Sequence, residues 1–552
     1  MKFSRFAGLS VLSLLFAAFL AAAAPDRAVF DVRSFGAKGD GATLDTRAIN
    51  DAIAAAAESG GTVVFPAGRY LSHSIRLKSH VGLQLEHGAV IVAADPPKDG
   101  GPGYDAAEPN PTPEYQDFGH SHWHNSLIWG ENLEDVSITG PGQIYGRGLS
   151  RGTGRVALPV NVTAEQPKGA AADVLRADGN ASPVDRPDLK PGPFGYPNAR
   201  DTLQDGVGNK AIALKNCRNV VFRDFTILHG GHFGILATGV DNFTLDNLVI
   251  DTNRDGMDID ACSNVRVSNC SVNSPWDDGI CLKASYGLNR NRATENVTIT
   301  NCFVSGYDEG TLLDGTRQRR TTHKGGPIGR IKLGTEANGG FRNIAVSNCV
   351  FEYCRGLALE QVDGGVMEDI AVTNLAMRDI VNAPVFVRLG ARLRGPEGTP
   401  MGSARRILLS NIVAYNVAPD HGVFISGVPG HPIEDLTLSG IRLYFRGGGT
   451  AEQAARAVPE MEKGYPEPDL FGVLPSWGVF ARHAANLVLR DVQLHLLASD
   501  ARPAVSMDDV AGVELVDVRV ERTAAQPFWR MNGVTDVLAV RAAGVPDAGA
   551  AK

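Results

Sequence analysis

From about residue 130 onward, short runs in which apolar and polar side chains alternate keep returning. Examples are EDVSITG, RNVVFRDFTI, DNFTLDNLVI, SNVRVSNCSV, ENVTITNCFV, RNIAVSNCVF and EDLTLSGIRL. A period of two marks a β-strand with one face buried, and each run follows a turn residue. Taking the turn asparagine as a mark, Asn219, Asn242, Asn264 and Asn296 lie 23, 22 and 32 residues apart. Short strands at a nearly fixed period, joined by polar turns of variable length, predict an all-β coil of parallel strands stacked rung on rung, with loops inserted between rungs. Asn-Cys pairs recur at Asn216-Cys217, Asn269-Cys270, Asn301-Cys302 and Asn348-Cys349, as expected of stacked turns with small buried residues.

A second phrase sits between these runs and has the form X-Gly-apolar-x-apolar: FGILA at 233, DGMDID at 255, DGICLK at 278, EGTLLD at 309, RGLALE at 355, HGVFIS at 421 and WGVFAR at 477. Aligning rungs at the glycine predicts an inward column of Ile235, Met257, Ile280, Thr311, Leu357, Val423 and Val479, with Asp258, Cys281, Leu312, Ala358, Phe424 and Phe480 pointing outward. The glycine itself implies an unusual backbone angle or a close neighbouring backbone. The residue before it forms a column of its own: Phe233, Asp255, Asp278, Glu309, Arg355, His421 and Trp477. Adjacent rungs are about 4.8 Å apart, so Asp255 and Asp278 become neighbours, with Asp277 one step back. The same offset predicts an exposed pair between Asp260 and Lys283, worth about 0–1 kcal/mol.

Three converging acids change the picture from scaffold to chemistry. Cleaving a glycosidic bond needs a proton for the leaving oxygen and a base for water, and repulsion between crowded carboxylates keeps one of them protonated. Nearby stand Arg317, Arg319, Arg320, His323, Lys324, Arg330 and Lys332. Alternation in GRIKLG turns Arg330 and Lys332 outward one or two rungs beyond Asp278, where they are placed for an anion. His120, His122 and His124 alternate along an expected strand, but no fourth ligand accompanies them and no metal is expected.

Composition narrows the class. Fifty-three Lys and Arg against 61 Asp and Glu give a net charge of −8, which argues against a general binder of nucleic acid or anionic membrane. Seven cysteines, with no CxxC pair, make neither a disulfide scaffold nor a usual zinc site. At the N-terminus, Lys2 and Arg5, an apolar stretch from Phe6 to about Ala22 and the run AAAAP read as an export signal over 1–24, implying a periplasmic or extracellular protein. Residues 25–95 are assigned to an N-terminal cap and first coils, and 96–552 to the catalytic coil. Insertions at about 95–118 and 150–208 are rich in Pro, Gly, Asp and Ala; walling off one end of a cleft, they favour exo action.

NRDG at 253–256, DDG at 277–279 and RIK at 330–332 follow the order and spacing of three signature blocks of glycoside hydrolase family 28, N-T-D, D-D and R-I-K, so the chain resembles that family of right-handed parallel β-helices. Its beginning, FDVRSFGAKGDGATLDTRAINDAIAAAAESGGTVVFPAGRY, is similar to the common entry to these solenoids, with an amphipathic helix from about Thr43 to Glu58 capping the core. The resemblance implies inverting hydrolysis of a pectic polysaccharide or oligosaccharide, a polygalacturonide or rhamnogalacturonan, by a monomer without a cofactor. It makes Asp277 the acid and Asp255 and Asp278 the base pair, with acid and base about 6.5–9.5 Å apart. It assigns Arg330 and Lys332 to a sugar carboxylate. The fourth block, G-H-G, is not matched: the place of its histidine falls on Glu309, which with Lys283 is assigned to substrate binding. Two other readings stay open. One is a pectate-lyase-type elimination with calcium on Asp255, Asp258, Asp260, Asp277 and Asp278 and Arg330 as base; the other is a noncatalytic carbohydrate-binding β-helix.

Overall fold

The computed structural model describes residues 28–96, 99–116, 119–150, 206–319, 326–521 and 528–546. Every ladder between its strands is parallel, and the chain winds as a right-handed parallel β-helix. Central rungs hold three strands each. Phe233–Thr238, Asp241–Asp246 and Val249–Asp251 make one; Asp255–Asp260, Ser263–Ser268 and Ser271–Asn273 the next; Ile280–Lys283, Thr294–Thr300 and Phe303–Ser305 the third. From Phe341–Glu352 onward the second and third strands merge into single long strands.

Alternation sets the register. Val220, Phe243, Val265, Val297 and Ile344 pair in succession and are buried; a slip of one residue would carry this whole column into solvent. The turns obey the same stacking. Asn219, Asn242, Asn264 and Asn296 all take positive φ, which asparagine tolerates. Asn242 Nδ2 donates to Asn219 Oδ1 at 2.9 Å, and Asn296 Nδ2 to Asn264 Oδ1 at 3.2 Å. All seven cysteines are buried and unbridged.

The capping helix is Thr46–Ser59, burying Ile49, Ala52, Ile53 and Ala56. It starts later than Thr43 because Asp40–Leu44 forms a strand. Asp45 then ties the junction by accepting from the backbone N–H groups of Lys38 and Gly39 at 2.6 and 2.9 Å. The glycines of the second phrase answer a close approach. A Cβ on Gly256 would lie 2.3 Å from Val272 and 2.5 Å from the Gly279 carbonyl oxygen. Trp477 packs into the core against Phe445, while Phe424 and Phe480 pack around Phe471.

Three placements differ from expectation. EGTLLD at 309 is no rung: the segment turns, and the strand that follows Ile280–Lys283 in the stack is Ile331–Leu333. Ile331 and Lys332 thus hold the column positions expected of Thr311 and Leu312. Asp251 captures the turn instead, accepting from the N–H groups of Gly310, Leu312 and Leu313 at 2.9 Å each. The three histidines lie in turns before the strand Ile128–Glu131 rather than along a strand. Asp260 and Lys283 are paired in register, yet both are buried and their side chains part. Asp260 accepts from Ser285 N and Oγ at 2.7 and 2.6 Å, while Lys283 Nζ lies 3.0 Å from Glu336 and 3.6 Å from Asp258. Residues 1–24, read as an export signal, and residues 151–205 of the long insertion lie outside the described residues. No helix among the described residues is long and apolar enough to cross a membrane.

Candidate active site

The site grows from the turn that joins the third strand of one rung to the first strand of the next. Asp255 opens the strand Asp255–Asp260, Asp277 and Asp278 precede Ile280–Lys283, and Arg330 precedes Ile331–Leu333. Backbone bonds lock these turns together: Gly256 N–H donates to the Asp278 carbonyl at 3.0 Å, and Gly279 N–H to the Arg330 carbonyl at 2.8 Å. One carboxylate oxygen from each of Asp255, Asp277 and Asp278 lies within 4.8 Å of the others. Three acids 23 residues or less apart in sequence are thus one cluster because the rung period is about that length.

Their surroundings differ. Asp278 is buried; Arg330 Nε donates to its Oδ1 at 2.8 Å, and Lys332 Nζ lies 3.2 Å from Oδ2. Burial alone would raise its pKa, but Lys332 and Arg330 outweigh burial and hold the carboxyl below its usual value. At Asp255 the cations Lys283 and Arg254 act too weakly to offset burial. Burial, and then Asp258 and Asp277, push it well above the ordinary carboxylate range. Asp277 accepts from Arg254 Nη2 at 2.6 Å and exposes 22% of its side chain, against 2% for Asp278. It is the member of the pair that reaches the surface.

A fourth acid stands directly behind. Asp258 points outward as its alternation demands, but loops cover it, and His120 Nε2 from the insertion lies 3.2 Å away. Burial pushes Asp258 up to about 8; Lys283 opposes that rise, and Asp277 and Asp278 add to it. His122 and His124 go elsewhere: His122 Nδ1 meets the Glu108 carbonyl oxygen at 2.7 Å, and His124 Nε2 meets Glu131 at 2.9 Å. The three histidines do not converge on one point.

The segment 451–476 lies across the next rungs. It carries Glu467 to Arg330, whose Nη2 donates to Oε1 at 2.5 Å, and also to Arg355 Nη1. Tyr465 stands 5.6 Å from Lys332 Nζ, ring centroid to nitrogen, and Lys332 also meets Glu360 at 3.4 Å. Arg330 and Lys332 are each 1% exposed, so both cations face protein carboxylates. Lys283 likewise faces Glu336 and Asp258. Glu309 meets His229 Nδ1 at 2.8 Å, a histidine supplied by an earlier rung turn rather than by the block in which one was sought. Sequence reading missed Arg254, His120, Glu360 and Glu467 as parts of this site. Arg254 sits inside the NRDG block and was open to notice; Glu467 is 137 residues from Arg330 and carries no local signal.

Asp255, Asp277 and Asp278 are close enough to share a divalent cation, but Arg254, Arg330 and Lys332 already occupy oxygens of two of them. Calcium takes about six to eight oxygen ligands. The donor set fits a proton-sharing cluster better than a calcium cage.

Comparison with known proteins agrees with this geometry. Residues 29–88 match the family described as rhamnogalacturonase A/epimerase, pectate lyase-like, and residues 210–374 match the right handed beta helix region. A probable polygalacturonase of Vitis vinifera is 24% identical over 440 residues, covering 74% of this chain and 73% of the relative. An exo-poly-alpha-D-galacturonosidase of Dickeya chrysanthemi is 25% identical over 376 residues; the match spans 65% of this chain and 57% of that relative. The family 28 exopolygalacturonase of Yersinia enterocolitica superposes with a TM-score of 0.58 at 20% identity, over 92% of this chain and 78% of that one. The N-x-D, D-D and R-I-K residues share one turn column, and the chain is similar to the glycoside hydrolase family 28-like, polygalacturonase-type parallel β-helices.

Proposed function

We propose that the protein is an exported glycoside hydrolase that shortens pectic chains from one end, with inversion at the anomeric carbon. The observation that carries this reading is the unequal surroundings of three acids on two adjacent rungs: Asp278 is held between Arg330 and Lys332, Asp255 is buried, and Asp277 reaches the surface. Asp277, the exposed member, donates a proton to the leaving oxygen. Asp278, kept ionised by Lys332 and Arg330, takes the proton of the attacking water, while Asp255, which burial and its acidic neighbours push well above the ordinary carboxylate range, orients that water. Arg330 and Lys332 then serve the reaction through Asp278.

The nearest oxygens lie within 4.8 Å, short of the about 6.5–9.5 Å usual between acid and base in inverting enzymes. Direct attack by a carboxylate is nevertheless the weaker alternative. Arg330 and Lys332 fix the Asp278 carboxylate in place, which leaves it able to take a proton from a water brought to it but not to advance and bond to the sugar. The pectic substrate and the exo mode are supported by the relatives, which include an exo-poly-alpha-D-galacturonosidase.

Incubation with a panel of pectic oligosaccharides in the presence of chelator tests the reading. Release of one- or two-sugar products from a single end, without ultraviolet absorbance from an unsaturated sugar, is expected. Calcium-dependent growth of that absorbance would replace hydrolysis by elimination, and glycan binding without turnover would make the solenoid a binding module.

A further inference from the structure

Arg330 and Lys332 are the cations that the sequence pattern offers to a sugar carboxylate, and the fold has already given them other partners. Glu467 meets both Arg330 and Arg355, and the Arg330 guanidinium bridges Glu467 to Asp278. Tyr465 roofs Lys332, and its hydroxyl lies 3.1 Å from Thr335 Oγ1. The segment bearing these residues is firmly tied down. Asp469 accepts from Arg355 and Asn382, Phe471 is buried against Phe386 and Phe424, and Arg388 donates to the Glu460 and Met461 carbonyls. Anchors of this number hold Glu467 in a fixed place in front of Arg330. Its side chain remains 16% exposed, while that of Arg330 behind it is 2% exposed.

We infer that Glu467 is a specificity-determining residue that fills the carboxylate-binding position of the site, so that the subsite in front of Arg330 takes an uncharged sugar. This rests on the hydrolase reading above and narrows it. A uronic acid at that subsite would bring its carboxylate against the Glu467 charge, with both nearby arginines already engaged. A neutral sugar offers hydroxyls, which the exposed edge of Glu467 accepts. The substrate class that fits is a pectic chain in which neutral sugars alternate with uronic acids, rather than one made of uronic acid alone.

The test compares kcat/KM on a homogalacturonide and on an oligosaccharide of equal length alternating galacturonate with rhamnose. Wild type is expected to favour the alternating chain. Glu467→Gln keeps the shape and removes the charge, and should move the ratio toward the homogalacturonide by about tenfold or more, mainly through KM; Glu467→Asp should keep the wild-type ratio. A wild type that prefers the homogalacturonide, or a ratio unmoved in a Gln variant with the wild-type thermal transition, overturns the inference. If Glu467→Gln does not fold, binding of galacturonate and of galactose to wild type decides: galacturonate bound tighter than galactose overturns it, and equal or weaker binding upholds it. Turnover of neither chain by wild type would strike the hydrolase reading instead, and the monosaccharide binding would still decide the charge preference.

Discussion

At the scale of single residues, the account turns on where protons sit among four carboxylates. If Asp277 is the acid, Asp277→Asn keeps its shape and removes the proton donor, so kcat should fall by about 10²–10⁴-fold with little change in KM. Steady-state kinetics on one pectic oligosaccharide checks this, and full activity would remove Asp277 from the role. Asp258 gives a prediction in stability. Its folded pKa of about 8 stands above an unfolded value of about 4. As pH rises between those two values the unfolded chain releases a proton that the folded one keeps, so this group favours folding less and less. Asp258→Asn has no proton to lose. The difference in thermal transition between variant and wild type should therefore move steadily in the variant's favour from pH 5 to pH 8, as calorimetry would read it; a flat or opposite trend contradicts the proposed proton on Asp258.

The elements show how much of this was legible beforehand. Asp255 and Asp278 were brought together by period alone, because the rungs at Met257 and Ile280 have nothing inserted between their glycines and the register holds. The same rule failed at Glu309. The 24 residues between Ser305 and Arg330 interrupt the period there, EGTLLD imitates the strand phrase, and only the amide bonds to Asp251 reveal it as a turn. Register also placed Lys283 beside Asp260 but not its ammonium: a long side chain in a buried layer goes to the carboxylates that need a counter-charge, here Glu336 and Asp258. The rung spacing itself is testable at Gly256. A methyl there would press on Val272 and the Gly279 carbonyl, prising apart the turns that hold Asp255 and Asp278. Gly256→Ala should cost about 1–3 kcal/mol in denaturant unfolding and lower activity as well; unchanged stability would mean that the rungs are less tightly stacked than described.

For the whole molecule, the solenoid supplies a rigid column of turns, and the long connections supply what the turns lack. His120 comes from one long connection and Glu467 from another; His120 meets Asp258, and Glu467 meets Arg330, the cation that holds Asp278. Pattern reading found the column because it is periodic; it did not find the covering segments because their contacts span many rungs and follow no repeat. The chemistry assigned to the column has one consequence independent of any variant. Water activated by Asp278 attacks the face opposite the leaving oxygen, so the anomeric configuration must invert. Proton NMR of the first product formed by wild type from an α-linked pectic oligosaccharide, recorded before mutarotation and in the presence of chelator, reads this directly: the account predicts the β-anomer, and an α-anomer or an unsaturated product would contradict it.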